Sequence, residues 1–162
     1  MSRFLSRLDD GVYRALRLCV GIAVTVIVFA VFAGVLARQF RVSIGGGEEL
    51  PVYAMIVCGW LAAALGARGD SHIKLDLYRL VVKSEKGQAI VDLFVSVLTV
   101  FAVAYLGVLS IKYVAFSFKS GEILPGLGVP RWWFALVMPI SSFVMAGYYL
   151  ATIWRLAREV FG

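Results

Sequence analysis

The residues best suited to chemistry sit in one short stretch, Asp70-Ser71-His72-Ile73-Lys74-Leu75-Asp76. His72 is the chain's one histidine. An imidazole beside carboxylates can move a proton near neutral pH, so His72 with Asp70 and Asp76 is the composition of a general acid–base group. A lone histidine with no second histidine or cysteine beside it does not make a metal site. The default role for His72 is structural: linking helix ends or touching a partner. Cys19 and Cys58 both lie inside apolar runs, outside any metal spacing, and read as packing residues. The sequence has no Walker loop, no His-Glu-x-x-His and no serine nucleophile motif. These residues point away from an enzyme and call for no cofactor or metal.

Composition identifies the solvent these residues live in. The 162 residues are 61% hydrophobic, with a mean hydropathy of +0.88. Soluble domains are about 45–50% apolar, and disordered chains are less so. Four runs carry no charge or almost none: 18–37, 50–67, 89–111 and 132–154. At a rise of about 1.5 Å per residue, roughly 20 residues cross a hydrocarbon core of about 30 Å. Lipid leaves no partner for free backbone groups, so runs of this length are helices. The first run holds 12 Leu, Ile, Val or Phe residues, about −4 to −7 kcal/mol of insertion energy at most. It is too long for the core of a cleaved signal, so it is expected to stay. The second run holds six such residues and seven Ala or Gly, and is expected to lean on other helices.

The 16 Lys and Arg residues are unevenly spread. Eleven lie in residues 1–17, the connection 68–88 and the tail; five lie in the other two connections. The positive-inside rule places both termini and 68–88 in the cytoplasm. The net charge of +6 is therefore a topology signal, with no nucleic acid implied. Phe4, Leu8, Val12 and Leu16 recur every four residues among Arg3, Arg7, Arg14 and Arg17, the pattern of a basic amphipathic helix on the inner leaflet. After Asp70 as a cap, Ile73, Leu77, Leu80 and Val81 share a face and predict a second, short interfacial helix. The expected fold is thus an all-α membrane protein. It has four transmembrane helices in one domain over 1–162, N-in and C-in, with an N-terminal amphipathic interfacial helix and a short interfacial helix between the second and third spans.

Outside the membrane, Pro125, Gly126, Gly128 and Pro130 predict a turn within a loop over 112–131. Trp132 and Trp133 open the last span and Trp154 closes it, as interface anchors. Pro139 should kink that span, with Ser141 or Ser142 helping the disturbed backbone. Ion-coupled carriers place ionisable groups near the membrane middle. Here Asp92 is the only one within a span, about a turn from its cytoplasmic end. Gly59, Ala63 and Gly66 or Ala67 form a small-residue face on the second span, as Ala30 and Gly34 do on the first. Such faces either seal these helices together or receive another membrane protein.

The chain resembles the small membrane subunit of tripartite ATP-independent periplasmic (TRAP) transporters, the DctQ-like family. The likeness rests on the four-span plan and on Arg68-Gly69-Asp70-Ser71-His72-Ile73-Lys74-Leu75-Asp76 directly after the second span. Leu124-Pro125, Pro130-x-Trp132 and Pro139 add to it, and the likeness covers nearly the whole chain. It implies a non-catalytic scaffold for a large elevator-type membrane subunit. It also implies transient docking of a periplasmic substrate-binding protein, for sodium-coupled uptake of an organic anion of the carboxylate or sialic acid class. On that basis Gly59, Ala63, Gly66, Arg68, Gly69, Asp70, His72 and Asp76 are expected at the large-subunit interface. Lys112, Lys119 and Arg131 are expected to meet the binding protein, and membrane lipid surrounds the rest. Two rival classes follow from the residues alone. One is a self-sufficient small oligomeric carrier or channel. The other is a membrane enzyme working through His72, Asp70 and Asp76.

Overall fold

A computed structural model describes residues 3–42, 45–68 and 85–161. It has helices α1 (Arg3–Gln39), α2 (Glu49–Arg68), α3 (Glu85–Ser120), α4 (Arg131–Ala135) and α5 (Val137–Phe161). No strand occurs among the described residues beyond one isolated bridge between Ile123 and Pro130. Four segments are long and apolar enough to cross a membrane: Asp9–Gln39, Glu49–Arg68, Ile90–Ser120 and Arg131–Arg158. Each contains one of the four expected runs or nearly all of it. The short interfacial helix expected after Asp70 lies outside the described residues.

α1 departs from expectation at its N-terminus. Its 37 residues form one unbroken helix, about 55 Å long and so nearly twice the hydrocarbon thickness. The basic amphipathic segment is therefore the first turns of the spanning helix, not a separate surface helix. No proline interrupts the passage from Arg7 to Leu18, and Gly11 alone weakens it. α1 uses a narrow seam for packing. Tyr13, Leu16, Val20, Ala23, Ile27, Ala30, Gly34 and Ala37 recur in alternating steps of three and four, all buried or half-buried. That is the 3.5-residue spacing of a coiled-coil contact, half of it written in the small residues Ala23, Ala30, Gly34 and Ala37.

α3 repeats the device. Ser96, Val100, Val103, Gly107, Ser110, Val114 and Ser117 form its seam with the same spacing. A Cβ on Gly107 would stand 3.3 Å from the Ser142 Cβ of α5, a measure of how closely α3 and α5 pack. The Ser96 and Ser110 hydroxyls donate to the Asp92 and Leu106 carbonyls one turn back, at 2.7 Å each, so they add no unmet polar group to the contact.

The long helices form an open row. α1 packs along α2, α2 along α5, and α5 along α3. In a closed four-helix bundle each helix packs along two neighbours; here α1 and α3 are edges, each packed along one long helix, with α1 also reached from α5 by the Tyr148–Asp9 hydrogen bond. Large side chains stay uncovered, among them Phe29 at 68% and Phe101 at 72% exposure. Lipid tails are as apolar as leucine, so leaving these faces uncovered costs nothing in a membrane. The core gathers Leu16, Ala64, Ala67, Val103, Met145 and Tyr149, one contribution or more from each long helix.

The last span breaks at Leu136, between α4 and α5. Pro139 has no N–H to offer the Ala135 carbonyl, which accounts for the break. The serines do not repair it as expected. The Ser142 hydroxyl donates to the Met138 carbonyl at 2.9 Å, and the fully buried Ser141 hydroxyl finds no partner. The loop after α3 is also shorter than expected, because residues 112–120 continue α3. The remaining residues, 121–130, fold into a tight hairpin. The Leu124 N–H donates to the Val129 carbonyl at 2.9 Å, and the Gly128 N–H to the Leu124 carbonyl at 2.8 Å. Gly121 and Gly128 take positive φ, and Leu124 is 2% exposed.

Candidate partner interface

α2 carries the small-residue face. Gly59 is exposed, and a Cβ built there meets no described atom within 4 Å. Ala63 and Gly66 are half-buried. The row is sealed elsewhere on α2, by Ala54, Ala64 and Ala67, which are 7%, 0% and 6% exposed. At 100° per residue, Gly59 lies about 140° round the helix from Ala64. Of the two uses open to this face, internal sealing therefore falls to Ala64 and Ala67, and Gly59 looks outward.

Arg68 ends α2 and is held within the chain. Its guanidinium pairs with Asp9 at 2.8 Å and with Asp10 at 2.6 Å, both from α1. It also lies 4.3 Å from the centre of the Tyr13 ring. The Tyr148 hydroxyl of α5 hydrogen-bonds Asp9. One cluster thus ties three helices together at this end of the row. Sequence reading missed Asp9 and Asp10, whose cation lies 58 and 59 residues away. Gly69, Asp70, His72 and Asp76 lie outside the described residues.

At the opposite end, Lys112 and Lys119 are exposed on α3, two turns apart on one face. Arg131 is different. It pairs with Glu122 and hydrogen-bonds Tyr53, so its charge is largely answered within the chain. The α1–α2 and α3–α4 loops are latched here by contacts that sequence reading did not foresee. The Gly126 N–H donates to the Glu49 carboxylate at 3.0 Å. A Cβ on Gly126 would stand 2.5 Å from the Gly46 nitrogen, and Gly46 itself has φ +75°. The available signal was the run Gly45-Gly46-Gly47 beside Glu48-Glu49, opposite a Gly/Pro loop.

The tryptophans lie where a belt needs them. Trp132 meets Phe118 edge-on at 5.6 Å, and Trp133 is 59% exposed. Trp154 is exposed, with the Arg158 guanidinium 4.9 Å from its ring centre. From Trp132 to Trp154 is about 33 Å of helix, close to one hydrocarbon core. The buried polar side chains among the described residues are all serines, and no cluster of His, Cys, Asp or Glu there is placed to hold a metal ion.

The family model for the DctQ component of tripartite ATP-independent periplasmic transporters matches residues 27–159. The chain belongs to the DctQ family. It is accordingly the small membrane subunit of a TRAP transporter, a multi-pass inner-membrane protein and not an enzyme. As a DctQ component it implies two associates, a large membrane subunit and a substrate-binding protein. No curated protein matches the chain.

Proposed function

We propose that this DctQ subunit is a stationary membrane scaffold: it binds the large subunit, which moves the cargo elevator-fashion, and helps dock the periplasmic binding protein. The carrying observation is the row itself. Its buried polar groups are serines, with no charged residue among the described buried set. Coupling ions and anionic cargo need charged or strongly polar sites at membrane depth, so they travel through the partner. The cargo in this reading is what the resemblance implies, an organic anion of the carboxylate or sialic acid class taken up with sodium.

The large subunit is assigned to the open side of α2, centred on Gly59 with the half-buried Gly66 beside it, and with Ala63, which also packs against this chain's own core, at its margin. A face of small residues lets a partner helix approach closely, and in lipid close approach is the main source of association energy. Gly69, Asp70, His72 and Asp76, which follow α2 in the sequence, are assigned to the same partner on the family resemblance. Arg68 acts indirectly, by fixing the end of α2 against α1. On the other side of the membrane, Lys112 and Lys119 offer uncompensated charge to the binding protein, and Arg131 contributes less because Glu122 answers it. Both termini lie in the cytoplasm in this reading, following the charge bias.

The deciding experiment is co-purification of the two membrane subunits. Gly59→Leu adds a bulky side chain to the open face, where a Cβ meets no described atom within 4 Å. The variant should fold as wild type and recover the large subunit at least fivefold less well. Wild-type recovery would remove the large subunit from this face.

A further inference from the structure

One surface of α1 combines charge with an apolar slot. Arg14, Arg17, Leu18, Gly21, Ile22, Thr25 and Val26 line a shallow, open groove along the side of α1 that faces away from its packing seam. Both arginines are exposed, and neither makes an ion pair among the described residues, in contrast to Arg68. They stand three residues apart at one end of the groove. The slot below them is apolar. Gly21 leaves it open, since a Cβ there would meet no described atom within 4 Å. Thr25 spends its hydroxyl on the Gly21 carbonyl at 2.9 Å, so it offers only its methyl side. From Arg14 to Val26 the groove runs about 18 Å along the helix axis, the length of one extended acyl chain of a membrane phospholipid.

We propose that this groove is a binding site for an anionic phospholipid, with the headgroup phosphate between Arg14 and Arg17 and an acyl chain over Gly21. Charge complementarity selects the occupant. Two guanidiniums at the edge of a spanning helix attract a phosphate strongly and a zwitterionic headgroup much less. A transmembrane protein partner would have to place a carboxylate opposite both arginines at the membrane edge, where the phosphates of anionic lipids are already concentrated. A soluble anion such as free phosphate has no use for the apolar slot. Anchoring of this kind holds the edge helix at a set depth and rotation, and it stands independently of which partner binds α2.

The test uses the full-length chain in detergent, incubated with equal amounts of phosphatidylglycerol and phosphatidylcholine carrying the same acyl chains. Bound lipids are counted by native mass spectrometry. Wild type should retain phosphatidylglycerol in preference. Arg14→Gln and Arg17→Gln should each lower that preference about fivefold, and the double variant about twentyfold or more. Arg14→Lys with Arg17→Lys should keep most of it, and Arg38→Gln with Arg41→Gln at the far end should leave it unchanged. Gly21→Leu fills the slot in a helix that accepts leucine readily, and should reduce retention of both lipids with unchanged helicity. A wild-type preference in the double glutamine variant overturns the proposal. So does wild-type lipid occupancy in Gly21→Leu, or a dimer of the chain that only Gly21→Leu dissociates, which would make the groove a contact between copies.

Discussion

Adding one methyl group at Gly126 should separate the α1–α2 and α3–α4 loops. The new Cβ would stand 2.5 Å from the Gly46 nitrogen and 2.6 Å from the Gly46 Cα. Ordinary contact begins about 1 Å further out, and both atoms belong to the backbone, so no side-chain rotation relieves the clash. Overpacking of this sort costs about 1–3 kcal/mol. A 1 Å separation also stretches the 3.0 Å bond from the Gly126 N–H to Glu49 beyond hydrogen-bond range. Losing that partly buried bond adds about 1 kcal/mol. The total, about 2–4 kcal/mol, should lower the melting temperature of the detergent-solubilised chain by about 5–15 °C. Gly128→Ala is the internal comparison. Gly128 has φ +66° but open space around it, so the substitution carries only left-handed strain of about 1–2 kcal/mol. If Gly126→Ala melts within 1 °C of wild type, or no lower than Gly128→Ala, the latch does not hold the loops and the reasoning fails.

Three further outcomes follow from contacts at other places in the row. Arg68→Met should destabilise the chain by about 1 kcal/mol, since its carboxylate partners are partly exposed. A double-mutant cycle with Asp9→Asn should return a coupling of about 0.5–1 kcal/mol, and zero coupling would deny the cluster any role. Ser141→Ala removes a buried hydroxyl without a partner, so it should raise stability by about 1 kcal/mol in chemical denaturation. A loss of stability there would mean that the hydroxyl is satisfied. Lys112→Glu with Lys119→Glu should slow uptake at low binding-protein concentration and leave saturating uptake near wild type. An unchanged rate at low concentration removes these lysines from docking.

The four spans were legible because charges mark their ends and length alone separates them from strands. The seams were not. In α1 and α3 the helix is apolar all round, so a stripe of Ala, Gly and Ser has no polar face to stand against, and periodicity analysis lacks contrast. Without the seams, the order of helices in the row could not be derived, and a compact bundle was the natural expectation. The face of Gly59 was visible from its spacing, but its direction depends on where Ala64 and Ala67 point. Arg68 stood out as part of a motif and was assigned outward. Its partners Asp9 and Asp10 sit some 58 residues away in the chain, and only tertiary packing brings them near. The continuous first helix was misread because a basic amphipathic pattern looks the same on a surface helix as on the projecting end of a spanning one.

An open series of helices has no redundancy. α1 is held to the rest chiefly through α2, and α3 chiefly through α5. Loosening either contact therefore frees an entire edge helix, which in a closed ring a second neighbour would retain. The α2–α5 contact is the joint on which both pairs depend, and damage there divides the subunit into two halves.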